Sequence, residues 1–60
     1  MNNEYKQMML AVGQLTDAQL LMMCRMLAVT NSYFEFVRAG VIKPSDDMLR
    51  RINTMLELFE

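Results

Sequence analysis

Residues Thr16–Gly40, TDAQLLMMCRMLAVTNSYFEFVRAG, decide how this chain is read. The stretch opens on Thr16-Asp17-Ala18-Gln19, which fits a capping box with Thr16 as N-cap and Gln19 reaching back to it. Leu15 and Leu20 flank the cap at the positions of a hydrophobic staple. Gly40 supplies a C-terminal stop, with Phe36 and Val41 at the two positions that touch across such a stop. Between these ends Met22, Met26, Val29, Tyr33 and Phe36 keep one helical phase, which predicts a continuous helix over 17–39. With Met23, Leu27, Phe34 and Val37 added, the apolar arc covers about 160°, more than a helix packed on one neighbour needs. This helix is therefore expected to be central and touched from two sides. Thr30-Asn31-Ser32 is its weak point, because the three are poor helix formers and Ser32 with Glu35 spells a second capping box.

Working outward, Tyr5, Met8, Met9 and Val12 recur at i, i+3, i+4 and i+7 and predict a first helix over 3–12, with Gly13 ending it in the left-handed conformation. A third helix is expected over 46–59. Ser45 is its N-cap, Asp46 and Asp47 sit in its first turn, and Met48, Leu49, Ile52, Met55, Leu56 and Phe59 form its stripe. Asp46–Arg50 and Asp47–Arg51 are spaced for i, i+4 ion pairs. No strand pattern or repeat is present. The chain reads as one all-α domain over 1–60, a small three-helix bundle completed by self-association.

Composition supports a folded, associating chain. Its 60 residues are 53% hydrophobic and 22% charged, with eight Met, one Cys, no His and a formal net charge of −1. Such a chain collapses rather than staying disordered. By size scaling, apolar burial and chain ordering each come to roughly 90 kcal/mol and cancel, so a short chain without a disulfide gains from a partner. The five-residue run Leu20–Cys24 is far short of the roughly 20 residues a membrane span needs. The first residues lack the basic start and apolar core of a secretion signal, and a lone cysteine suits a reducing compartment. A cytoplasmic location without membrane contact is expected.

Catalysis finds no machinery here. Without histidine, neither a His-based triad nor a His-containing zinc site can form, and Cys24 has no base to activate it. Neither an acid/base pair nor a calcium loop is spelled by the carboxylates, and no metal or cofactor is expected.

The expectation is a non-enzymatic protein that homo-oligomerises and binds another macromolecule, a protein rather than nucleic acid, as regulator, adaptor or inhibitor. The self-association surface is assigned to Met22, Met26, Val29, Tyr33, Phe36 and Phe59. One alternative is an oligomer that sequesters a small anion such as a nucleotide between subunits, using Arg25, Tyr33 and Arg38. Another is a DNA-binding regulator with Arg50 and Arg51 on phosphates, since the last two helices have the outline of a helix-turn-helix. Opposing the last are the net charge, a pI near 5.2 and the acids that begin the third helix. In size and composition the chain is similar to small accessory proteins of phages and plasmids, with no motif specific to a family.

Overall fold

A computed structural model describes residues 3–59. Four α-helices follow one another, and no strand occurs among the described residues: α1 (Asn3–Gly13), α2 (Asp17–Leu27), α3 (Asn31–Arg38) and α4 (Asp46–Leu56), closed by a 3₁₀ turn over Glu57–Phe59. None of these helices is long and apolar enough to cross a membrane.

The expected central helix is two helices. α2 stops at Leu27 because Ala28 turns left-handed, with φ 58° and ψ 44°. The Ala28 amide then donates to the Arg25 carbonyl (3.2 Å) and the Val29 amide to that of Cys24 (3.0 Å), the paired bonds of a Schellman motif. Two residues on, the Thr30 hydroxyl accepts from the Tyr33 amide at 3.0 Å and starts α3. The new cap is thus Thr30, not Ser32. An alanine in the left-handed region gives no advance notice of the stop, and the apolar phase runs on in sequence past the break.

The other ends fall close to expectation. The Thr16 capping box forms in both directions, at 3.1 and 3.0 Å. Ser45 caps α4 by accepting from the Met48 amide at 3.2 Å. Gly40 is left-handed, and the Val41 amide donates to the Phe36 carbonyl at 2.8 Å, so α3 ends as the glycine predicts. Gly13 differs: its φ is not positive, and α1 runs through it to end in i→i−3 bonds from Gln14 and Leu15. α4 is three residues shorter than expected, the last turn tightening to 3₁₀.

α4 packs between α1 and α2, while α3 closes against α1 and α2. The core is entirely apolar. Met8, Val12, Met23, Phe34, Val37 and Ile52 are fully buried, and Leu20, Cys24, Leu27, Leu49 and Leu56 complete it. Among the described residues no buried side-chain nitrogen or oxygen lacks a hydrogen-bond partner. Asn53 ties α4 to α1 by donating to the Glu4 carbonyl at 3.4 Å, and the Lys43 ammonium lies 5.2 Å from the centre of the Tyr5 ring. Across the break α2 supplies Leu20, Met23, Cys24 and Leu27 to the core and α3 supplies Phe34 and Val37. One chain closes its own core, so a second copy would add to the outside of the bundle rather than complete it.

Candidate binding surface

At about 100° per residue, Leu20, Met23, Cys24 and Leu27 share the buried face of α2. Ala18, Leu21, Met22, Arg25 and Met26 occupy the opposite one and are all exposed. Leu21 and Met26 are 41% exposed and Met22 is 54% exposed. Arg25 is the only charge among these five. α2 is therefore apolar on both faces, and the chain covers one of them.

Beside this face lies a groove of about 400 Å³ between α2 and α4. Met26 and Leu27 form one wall, and Asp47, Arg50, Arg51, Thr54 and Met55 form the other. Arg51 is held by Asp47 at 3.4 Å in an exposed ion pair. The expected companion pair, Asp46–Arg50, does not form among the described residues, leaving the Arg50 guanidinium open to the groove side of α4. The Thr54 hydroxyl donates back along α4 to the Arg50 carbonyl (3.0 Å). The sequence did not single out Leu27 and Met55, because apolar residues on a regular stripe read as core, nor Thr54, a lone polar residue off that stripe. Only the packing angle of α2 on α4 reveals which of them line an open furrow.

The six residues assigned to self-association are spread over several elements. Met22 and Met26 stand on the outward face of α2. Val29 is half-buried in the link to α3, and Tyr33 is half-buried in the first turn of α3, edge-on to Phe34 with ring centres 6.3 Å apart. Phe36 is 49% exposed near the end of α3, and Phe59 borders a separate hollow with Ala11, Leu15, Gln19 and Leu56. Of the anion-binding trio, the break places Arg25 on α2 and both Tyr33 and Arg38 on α3. Arg50 and Arg51, with Met26, are the candidates that the structure brings to one groove.

Cys24 is 2% exposed, its Sγ lying 3.7 Å from the Thr30 carbonyl. Burial, reinforced by the negative charge of Glu35, raises its pKa above the ordinary 9.0. A thiol kept protonated and covered packs as a small apolar side chain. Among the described residues no three potential metal ligands cluster. Compared with known protein families, curated proteins and solved structures, the chain matches none.

Proposed function

We propose that this is a non-enzymatic helical protein that self-associates through the outward face of α2 and acts by engaging another macromolecule, as a regulator, adaptor or inhibitor. One observation carries the reading: α2 presents Leu21, Met22 and Met26 to solvent on the side opposite its core residues. A helix on the surface of a globular protein ordinarily turns a polar face outward, and one that is apolar all round is covered on all sides. Contiguous exposed apolar side chains of this kind mark interaction sites. Unbranched, polarizable methionines suit a surface that adapts to the shape laid against it. A buried free thiol fits a reducing compartment, and the proposed setting is the cytoplasm.

Thermal melting at several protein concentrations tests the self-association. If only the folded chain associates, mass action raises Tm with concentration, and Met22→Lys removes that rise while leaving the helical signal intact. A Tm independent of concentration in the unmodified protein would overturn the reading.

A further inference from the structure

We infer that the groove between α2 and α4 receives an acidic amphipathic helix of a partner protein. The inference rests on reading α2 as a binding element but not on self-association, whose proposed face shares only Met26 with the groove. From Asp47 to Met55 the groove follows α4 for a little over two turns, about 12 Å. That matches the span of the i, i+3, i+4 and i+7 anchors of a docked helix. Its apolar floor, Met26, Leu27 and Met55, offers those anchors flexible methionines on both walls. All seven lining residues sit within α-helices, so no strand edge borders the groove for an extended peptide to pair with. A helix arrives with its own backbone satisfied.

Charge sets the chemistry of the occupant's flanks. On a chain of net charge −1, this groove carries two arginines against one aspartate, and that aspartate is already engaged by Arg51. Arg50 has no carboxylate within ion-pairing distance among the described residues, so it is the guanidinium available to an incoming acid. A nucleic acid fits less well, because the groove floor is apolar and Asp47 stands on its rim.

Fluorescence anisotropy tests this with a labelled helical peptide of about four turns, carrying Leu at i, i+3, i+4 and i+7 and Glu on the flanking positions. A twin with Lys in place of each Glu and a labelled DNA duplex are the other probes. The acidic peptide is expected to bind with a Kd on the order of 10 µM, at least about tenfold tighter than its twin. The double variant Arg50→Gln/Arg51→Gln, altered at two exposed positions and checked by circular dichroism, should weaken it about tenfold. Equal binding of the two peptides, no binding of the acidic one, indifference to the double variant, or preference for the duplex would each overturn the inference. Sedimentation of the same samples without peptide reads self-association separately, so the two proposals fail independently.

Discussion

Ala28 carries the most informative backbone angle in the molecule. A φ of 58° costs an L-residue roughly 1–2 kcal/mol relative to ordinary helical geometry, and glycine is free of that cost. Ala28 is exposed, so Ala28→Gly changes little else. After the extra unfolded-state freedom of glycine is subtracted, the substitution should stabilise the fold by about 0.5–1 kcal/mol, read as a higher urea midpoint with unchanged slope. Cys24 and Tyr33 set a pH dependence. Burial raises both above their ordinary values of 9.0 and 10.0, with Glu35 adding to the effect on Cys24. The unfolded chain therefore releases these protons first as pH rises, the folded state binds more of them in that window, and stability falls. Their contribution should be fully present below about pH 8 and be lost as pH climbs through 9 and 10, with Cys24→Ala removing the earlier part of the decline. Urea titrations across that range check it.

Among the elements, starts were more legible than stops. Thr16 and Ser45 announced α2 and α4, because a side-chain oxygen placed before a helix has one evident use. Stops depend on backbone conformations that glycine makes easy and other residues can be forced into. Gly40 was readable for that reason, and Ala28 was not. The break between α2 and α3 also hid behind an apolar phase that continued across it, with Met22 and Met26 in phase with Val29 and Phe36 although neighbouring Met23 and Leu27 are the ones buried. Thr30 holds the break from the other side, and Thr30→Ala should cost about 1 kcal/mol of stability. If the sequence preference for one long helix prevailed once the cap was gone, helical content by circular dichroism would rise instead of falling. The groove was legible only in part: Arg50 and Arg51 stood out as the basic cluster and Met26 as a surface candidate, whereas Leu27 and Met55 looked like any other core positions.

The whole molecule is as compact as a chain of this length becomes. Its radius of gyration of 10.3 Å matches the roughly 10.4 Å expected for 60 residues, and its surface of 4266 Å² is close to the approximately 4,000 Å² of size scaling. A domain this small has a total stability of about 3–9 kcal/mol, so a single core defect consumes much of it. Phe34, fully buried and the largest of the core side chains, is the sharpest case: Phe34→Ala should cost about 3–5 kcal/mol and leave the chain at or near unfolding by circular dichroism.

Closure within one chain changes what the apolar excess means. The surplus is not an unfinished core but an outward face on α2, and the central claim is that this face meets a second copy. Sedimentation equilibrium between about 1 and 100 µM tests it most directly. The average mass should rise from that of the 7.0 kDa chain toward twice that value, and Leu21→Lys/Met22→Lys should hold it at the lower one. A mass that stays at 7.0 kDa across the whole range for the unmodified protein would contradict the account.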